Sequence, residues 1–208
     1  MPLTAPLYFE REGWEQGLER IVGIDEAGCG PLAGPVVAAG VALHREQLFD
    51  GVVDSKQLTA RIREELAEEI HSNALAVAVA AASTREIERL NIRRATCLAM
   101  QRVLTRLPFR PDLVLVDGRR MAGLARHTAI VRGDQRSHSI ACASILSKVV
   151  RDRLMRRLDP RYPQYGWATN KGYATTDHLA ALAQHGPTPH HRRTFTPVVQ
   201  MELALQAR

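Results

Sequence analysis

Four acidic side chains follow short apolar runs in this sequence, a pattern that can supply oxygen ligands to divalent metal ions. The acids are Asp25 and Glu26 after residues 21 to 24, Asp117 after 113 to 116, and Asp134 after 127 to 131. If the ends of these runs converge, mutual repulsion raises the pKa values of the carboxylates unless cations neutralise them. Oxygen donors without histidine or thiolate favour Mg²⁺ or Mn²⁺ over zinc. Two such ions can activate water and stabilise the leaving oxygen in phosphodiester hydrolysis.

Each acid also has an ordinary structural explanation. Asp117-Gly118 is a favoured turn dipeptide. Asp134 could cap the helix that follows it, and the pair at 25 and 26 could belong to a solvated turn. For each acid alone, these residues leave both explanations open.

The elements that would position the acids are strands early in the chain and helices later. The pattern predicts strands at residues 21 to 24, 36 to 43, 74 to 82, 113 to 116 and 127 to 131. It predicts helices at residues 60 to 71, 84 to 107, 139 to 158, 176 to 184 and 198 to 207, with a loop-like segment at 161 to 173. The short Gly/Pro link between the first two strands predicts an antiparallel hairpin. We therefore expect an α/β domain at residues 1 to 158 and a C-terminal helical region at 159 to 208, packed as one unit.

Composition limits the classes of function. Lys and Arg outnumber Asp and Glu by 28 to 22, which favours a polyanionic partner such as nucleic acid. Cys29, Cys97 and Cys142 show neither disulfide nor zinc spacing. No apolar run approaches the roughly 20 residues of a membrane helix. The acidic N-terminal residues do not resemble a secretory signal, so we expect a cytoplasmic protein without a membrane partner.

Ordered motifs across residues 21 to 195 resemble the ribonuclease HII (type 2 ribonuclease H) family. They are GIDEAGCGPLAGPVVAA at 23 to 39, DSKQL at 54 to 58, LNI at 90 to 92, LVDG at 115 to 118, GD at 133 to 134, SIACASILSKVVRD at 139 to 152, PQYGWATNKGY at 163 to 173, and HHRRTF at 190 to 195. Their order and spacing make the resemblance specific, although no single motif would. It implies a ribonuclease H-like mixed sheet flanked by helices, with a C-terminal helical region.

The resemblance also implies an activity. The family hydrolyses RNA in RNA/DNA hybrids and cuts on the 5′ side of single ribonucleotides in duplex DNA, leaving 3′-hydroxyl and 5′-phosphate ends. By motif, Asp25, Glu26, Asp117 and Asp134 would be the metal-binding catalytic acids for Mg²⁺ or Mn²⁺. We expect a monomer that removes misincorporated ribonucleotides.

Substrate recognition is expected at two further places. Tyr173 matches the tyrosine that packs on the sugar at the RNA–DNA junction. The segment that contacts the ribose 2′-hydroxyl is matched by Gly28, Cys29 and Gly30. Main-chain donors and acceptors that bind this hydroxyl can distinguish ribose from deoxyribose. The family has arginine where this chain has Cys29. Main-chain recognition survives that change, whereas a phosphate contact by the guanidinium is lost.

Basic residues in the family-like motifs are candidates for phosphate contacts: Lys56, Lys148, Lys171, Arg192 and Arg193. The alternative for each is simple solvation. His190 and His191 could assist proton transfer, but their spacing does not predict a metal site. Trp14 and Trp167 are expected to pack in the core.

Rival functions come from two classes. One is another carboxylate-dependent nuclease of the same fold, such as a resolvase or ribonuclease HIII. The glycine tripeptide with Tyr173 argues against a resolvase, and the missing large N-terminal domain argues against ribonuclease HIII. The other class is a catalytically silent module that binds RNA/DNA hybrids, which intact acids at all four positions disfavour.

Overall fold

The computed structural model describes residues 4–52, 55 and 58–206 of the chain. The strands are β1 Ile21–Ala27, β2 Val36–Ala42, β3 Ala76–Ala82, β4 Leu113–Asp117 and β5 Thr128–Ile130. The α-helices are α1 Tyr8–Glu15, α2 Ala60–Asn73, α3 Thr84–Leu90, α4 Ile92–Arg106, α5 His138–Leu158, α6 Trp167–Asn170, α7 Thr176–His185 and α8 Thr196–Gln206. Short 3₁₀ turns occur at Gly133–Gln135, Asp159–Arg161 and Pro163–Tyr165.

The strands form one mixed sheet in the order β3-β2-β1-β4-β5. β1 pairs antiparallel with β2, as the short link predicts, and parallel with β4, which pairs parallel with β5. This arrangement places β1 and β4 side by side at the centre, with their carboxyl ends at the same edge. The α/β prediction with a mixed sheet flanked by helices is confirmed.

Helices cover both faces of the sheet. α5 packs with α2 over one face and contacts β1 and β2, while α4 packs over the other face. Gly23 in β1 permits the close approach of α5, since a Cβ there would lie 2.4 Å from the Ile140 nitrogen. The small residues early in α5 are fully buried, Ala141 and Ala143 among them. These small side chains allow the helix to pack closely on the sheet.

The N-terminal helix α1 has no counterpart among the elements predicted from sequence. Its Glu10 is 1% exposed and accepts hydrogen bonds from the Ser137 and Ser139 hydroxyls, both at 2.6 Å, and from the Ser139 main-chain N–H at 2.9 Å. A carboxylate at the N-terminus of α5 also interacts favourably with the helix dipole. α1 therefore anchors the helix that supports β1.

The single helix predicted over residues 84 to 107 is wrong, because the chain forms two helices that meet at Asn91. Asn91 has φ of +66° and ψ of 165°, a backbone conformation that residues other than glycine rarely adopt. Its side chain accepts a hydrogen bond from the Arg94 N–H at 3.2 Å and so caps α4.

The C-terminal elements surround a third apolar cluster. Trp167 and Leu182 are fully buried there with Met155 from α5 and with Leu32 and Ala33 from the segment after β1. Residues 161 to 173 include α6, one complete 3₁₀ turn and the last residue of another, so the loop-like prediction understated their order. Trp14 and Trp167 both pack in the core, as expected. The division at residue 158 stays a prediction.

Among the described residues, no helix combines the length and apolar character required to cross a bilayer.

Candidate active site

The acidic side chains of β1 and β4 meet because these parallel strands are adjacent. Ile24 pairs with Val116, so Asp25 and Asp117, the next residues of the two strands, stand side by side at the carboxyl edge. Asp134 belongs to the 3₁₀ turn between β5 and α5. The Gly133 N–H donates to Asp117 Oδ1 at 2.6 Å, which connects this turn to the end of β4.

A cleft of about 480 Å³ opens at this edge of the sheet. Its lining includes all four predicted acids, Asp25, Glu26, Asp117 and Asp134, together with Ala27, Gly28, Ser55, Arg63, Ser144, Lys148, Arg151 and Tyr173. The structure therefore brings together, in one depression, the predicted acids and three members of the predicted substrate-binding set, Gly28, Lys148 and Tyr173. A larger cleft of about 1050 Å³ lies elsewhere, between α1, the end of α4 and β5, and contains none of these residues.

Burial and mutual repulsion disturb the acids in this cleft. Burial, followed by the charges of Glu26 and Asp117, raises the pKa of Asp25 well above its usual range. The Ser144 hydroxyl and the Glu26 main-chain N–H, which donates to Asp25 Oδ1 at 2.7 Å, partly oppose this rise. Burial likewise raises the pKa of Glu26. Acids whose charged form is disfavoured in this way are typical of functional sites.

The chemistry of these donors fits Mg²⁺ or Mn²⁺, which bind carboxylate oxygens. As placed, no three His, Cys, Asp or Glu side chains in the described part of the chain stand close enough to form a preassembled metal site. Ligation by these acids would require their side chains to move toward a shared ion.

The segment Gly28, Cys29 and Gly30 (the glycine segment) follows β1 at the rim of the cleft. Gly28 has φ of +100°, and a Cβ there would lie 2.1 Å from Arg151 Nε, so glycine is required. Gly30 is exposed, and a Cβ at that position would lie 3.9 Å from Tyr173 Cε1. The segment and the tyrosine thus face each other.

Arg192 holds the main chain of the glycine segment in place. Its guanidinium donates to the Gly28 and Cys29 carbonyls at 2.5 and 3.0 Å. It also donates to the carbonyls of Gly34 at 3.0 Å and Pro35 at 3.3 Å. Arg192 is fully buried. The prediction that Arg192 contacts phosphate is therefore wrong, because all of these donors are directed at carbonyls inside the protein.

Cys29 is half-buried between Glu26 and Thr96. Its thiol donates to Glu26 Oε1 at 3.5 Å and lies 3.5 Å from Thr96 Oγ1. Burial, then the charge of Glu26, raises the pKa of the Cys29 thiol to about 12. The side chain is thus a protonated donor at neutral pH, and a thiolate nucleophile is disfavoured.

Tyr173 is 46% exposed at the cleft, with the guanidinium of Arg151 5.9 Å from its ring centroid. Arg151 is itself 1% exposed and donates to the Pro35 and Ala33 carbonyls, each at 3.1 Å. A cation beneath an aromatic ring adds to the attraction that orients the ring. Sequence reasoning did not assign Arg151 a role, although it lies in the α5 motif.

The remaining basic candidates differ in their placement. Lys148 lines the cleft and forms a 2.8 Å ion pair with Asp152. Lys171, whose ammonium donates to the Ala168 carbonyl, and Arg193 are not part of the cleft lining. Lys56 lies outside the described residues. Phosphate contacts by these lysines and Arg193 stay predictions.

His191 is fully buried and hydrogen-bonded to His178 at 3.0 Å, away from the carboxylates. His190 is partly buried and packs beside Tyr162 and Trp167. Neither histidine lines the cleft, so direct proton transfer by His190 or His191 there is not supported.

The sequence comparisons with known proteins agree on one family. A family model described as Ribonuclease HII matches residues 22–198. A Ribonuclease HII 1 of Methylibium petroleiphilum is 56% identical over 182 residues, or 87% of this chain and 92% of the relative. A Ribonuclease HII of Cereibacter sphaeroides is 53% identical over 201 residues, or 95% of this chain and 94% of the relative. The solved ribonuclease H2 of Pyrococcus horikoshii has a TM-score of 0.74 at 24% identity, covering 91% of this chain and 100% of that one, a likeness of fold.

Proposed function

The chain belongs to the ribonuclease HII family, and from that premise we propose that it cuts duplex DNA on the 5′ side of single embedded ribonucleotides, as well as RNA in RNA/DNA hybrids. It is an endoribonuclease, a hydrolase of the type 2 ribonuclease H class. The finer proposal concerns the substrate, the metal ions and the residues responsible.

One observation carries the proposal: the four carboxylates line the same cleft as Gly28 and Tyr173. Acids suited to phosphodiester hydrolysis are thereby adjacent to groups suited to sugar recognition. A catalytically silent module would not require an acid such as Asp25, whose pKa is raised by burial and by the charges of Glu26 and Asp117, since this repulsion costs stability. The arrangement therefore favours catalysis over simple binding.

The four acids would together hold two Mg²⁺ or Mn²⁺ ions. Bound there, the ions supply Lewis acidity for phosphodiester hydrolysis and neutralise the charge that develops at phosphate. The side chains contribute in distinct ways. Ser144 donates to Asp25, and the Gly133 N–H orients Asp117. Lys148 adds positive charge to the cleft, although its pairing with Asp152 moderates that charge.

Recognition of ribose follows from the direction of main-chain groups in the glycine segment. The Gly28 and Cys29 carbonyls are bound by Arg192. In a trans peptide, the carbonyl and the following N–H point in opposite directions. The N–H groups of Cys29 and Gly30 consequently point away from Arg192. We propose that these donors contact the 2′-oxygen, so that deoxyribose would leave them without that partner.

Tyr173 supplies the second half of recognition. Its exposed ring, supported by Arg151, stands opposite Gly30 and would pack on the sugar that follows the ribonucleotide. A flat apolar face suits a sugar without a 2′-hydroxyl better than a charged group does. A junction with a ribose on one side and a deoxyribose on the other then gains a contact that a continuous hybrid lacks.

The experiment compares three labelled substrates with Mg²⁺ or Mn²⁺: a DNA duplex with one ribonucleotide, the all-DNA duplex, and a continuous RNA/DNA hybrid. We expect incision of the first and third, with a 5′-phosphate on the fragment that begins with the ribonucleotide. Equal cutting of the all-DNA duplex would contradict ribose recognition. Binding without incision would support the silent module.

Asp117→Asn tests the role of the acids in the same assay. We expect incision to fall by at least about a thousandfold while folding is retained, because one ligand oxygen is replaced by an amide. Asp50→Asn is the matched control, since Asp50 is an exposed acid outside the cleft. Persistent activity of Asp117→Asn would overturn the metal assignment. A monomeric state, a cytoplasmic location and removal of misincorporated ribonucleotides stay predictions.

A further inference from the structure

Two buried histidines connect the C-terminal region to the main chain of Tyr173. His191 and His178 (the histidine pair) are both fully buried, with 3.0 Å between their Nε2 atoms. His178 Nδ1 lies 2.8 Å from the Tyr173 carbonyl oxygen. The Thr188 main-chain N–H lies 2.9 Å from His191 Nδ1. These contacts form a continuous hydrogen-bonded path from Thr188 to Tyr173.

The partners determine where each ring carries its proton. A main-chain N–H can only donate, so His191 Nδ1 accepts from Thr188 and the ring proton of neutral His191 is on Nε2. That proton is donated to His178 Nε2. Trp167 Nε1, also only a donor, points at the same His178 nitrogen from 3.3 Å. His178 Nε2 is therefore an acceptor, and its Nδ1–H donates to the Tyr173 carbonyl.

A charged ring would not fit this path. Protonated His191 would direct a second N–H at the Thr188 N–H, and protonated His178 would direct one at Trp167. Burial lowers the pKa of His178 and, with His178 as the next cause, lowers that of His191 to about 3. Both rings are thus neutral at physiological pH, and the proton positions are determined.

The path ends at the residue whose ring faces the glycine segment. On the other side of Tyr173, the Gly172 carbonyl accepts from the Leu32 N–H at 2.8 Å. Gly172 has φ of +82°, and a Cβ there would lie 2.7 Å from the Ala33 carbonyl oxygen. The main chain of Tyr173 is therefore held before the residue by the segment that follows β1. After it, the Tyr173 carbonyl is shared by His178 and by the Thr175 N–H at 2.8 Å.

We propose that His178 and His191 are positioning residues that hold Tyr173 at the distance from Gly30 required to recognise a ribose–deoxyribose junction. This inference rests on the proposed function of the cleft and adds residues that do not touch the substrate. Loss of the path lets the ring of Tyr173 move relative to the glycine segment. Junction recognition then suffers more than hydrolysis, because the carboxylates do not contact the histidine pair.

The test uses the ratio of kcat/KM on the single-ribonucleotide duplex to kcat/KM on the continuous hybrid. We expect His178→Phe to lower this ratio by about tenfold, with less than about a threefold change in kcat on the hybrid. His191→Phe, which retains a ring beside Tyr165 and Trp167, should lower the ratio by a smaller factor. His185→Phe, at an exposed position on the same helix as His178, is the matched control and should leave the ratio unchanged. An unchanged ratio in a folded His178→Phe protein would overturn the proposal.

A double-variant cycle separates positioning from a general loss of stability. If His178 acts through Tyr173, then Tyr173→Ala combined with His178→Phe should show the ratio of Tyr173→Ala alone. Multiplication of the two single effects would overturn the proposal.

Ring-nitrogen NMR of the wild-type protein tests the path without any enzymatic assay. We expect the proton on Nε2 of His191 and on Nδ1 of His178 at neutral pH. The opposite tautomer at either ring would overturn the path. If the wild-type protein failed to cut either substrate but showed these tautomers, the proposed function would fail while the hydrogen-bonded path stood, and the junction role of the pair would be rejected.

Discussion

The main-chain N–H of Gly133 donates to Asp117 Oδ1 at 2.6 Å, which joins the end of β4 to the turn that carries Asp134. The spacing of two of the acids proposed for catalysis therefore depends on a main-chain N–H contributed by a glycine.

Gly133→Ala should disturb this spacing. The added methyl would lie 2.7 Å from Ile140 Cδ1 and 3.2 Å from Asp117 Oδ1. We expect kcat to fall by about tenfold and stability to fall by about 1 to 3 kcal/mol, as in other overpacked sites. Adding Ile140→Val removes Cδ1 and should restore the melting temperature but not kcat. Recovery of both would show that the Asp117 contact does not matter.

Asp25→Asn should lower the activity and raise the stability of the protein. Asp25 is 6% exposed and repelled by Glu26 and Asp117, so a neutral amide relieves an unfavourable charge. We expect incision to be lost while the melting temperature without metal rises by about 2 to 4 °C, corresponding to about 1 kcal/mol. Added Mg²⁺ should raise the melting temperature of the wild type more than that of the variant. A lower melting temperature for Asp25→Asn in calorimetry would contradict the role of repulsion.

Gly30→Ala should block recognition without disturbing the fold. Gly30 has no positive φ, and its methyl would make an ordinary contact 3.9 Å from Tyr173 Cε1. The methyl would occupy the gap proposed for the sugar, so we expect kcat/KM to fall by at least about tenfold with an unchanged melting temperature. Gly28→Ala provides the contrast, because its positive φ and the 2.1 Å contact with Arg151 Nε should reduce stability as well. Normal kcat/KM for Gly30→Ala would place the sugar elsewhere.

Cys29 variants separate side-chain from main-chain recognition. Cys29→Ala removes a weak 3.5 Å contact with Glu26 and leaves the main chain unchanged, so we expect kcat/KM within about threefold of the wild type. Cys29→Arg should bind the duplex more tightly, with a salt dependence steeper by about 0.9 in log–log slope per added phosphate contact. Affinity is measured in the Asp117→Asn background to prevent cutting. An identical salt slope would exclude a phosphate contact at position 29.

His138 should contribute to acid sensitivity. It is fully buried, accepts from the Phe49 N–H at 2.9 Å and donates to the Ala5 carbonyl at 3.1 Å. Burial lowers the pKa of His138 to about 4. Because the unfolded value is about 6.5, the unfolded state binds a proton first as pH falls, and stability decreases by about 2 kcal/mol between about pH 7.5 and 5.

His138→Leu tests this sign by denaturant unfolding at the two pH values. The variant should be less stable at neutral pH, by about 1 to 3 kcal/mol, because two main-chain groups lose their partner. Its stability should also decrease less on acidification than that of the wild type. An equal decrease in both proteins would exclude His138 as a source of the effect.

The sequence predicted the sheet and its acids well, for a local reason. Strands can be predicted locally from apolar runs. Asp25 and Asp117 directly follow two such runs, which become neighbouring strands in the sheet. The structure supplies what local patterns lack. Glu10 acquires its role only through Ser137 and Ser139, more than a hundred residues away, which explains why α1 was not anticipated. Asn91 breaks a helix whose apolar spacing continues through it.

The basic residues show more clearly that local sequence patterns do not reveal contacts between distant parts of the chain. Arg192 and Arg193 are adjacent and equally charged, and no local signal distinguishes them. The structure buries the first completely and leaves the second exposed. The difference arises from carbonyls contributed by residues 28 to 35, which only the folded chain brings to Arg192.

Arg192 also imposes an order on how the enzyme becomes competent during synthesis. The Gly28 carbonyl takes its hydrogen bond from a residue 164 positions later in the chain. A growing polypeptide can pair β1 with β2 and β4 long before Arg192 is made. The glycine segment lacks this support until then, so a ribosome-bound fragment that ends before Arg192 should fold its sheet yet lack the ribose selection that we propose for this segment.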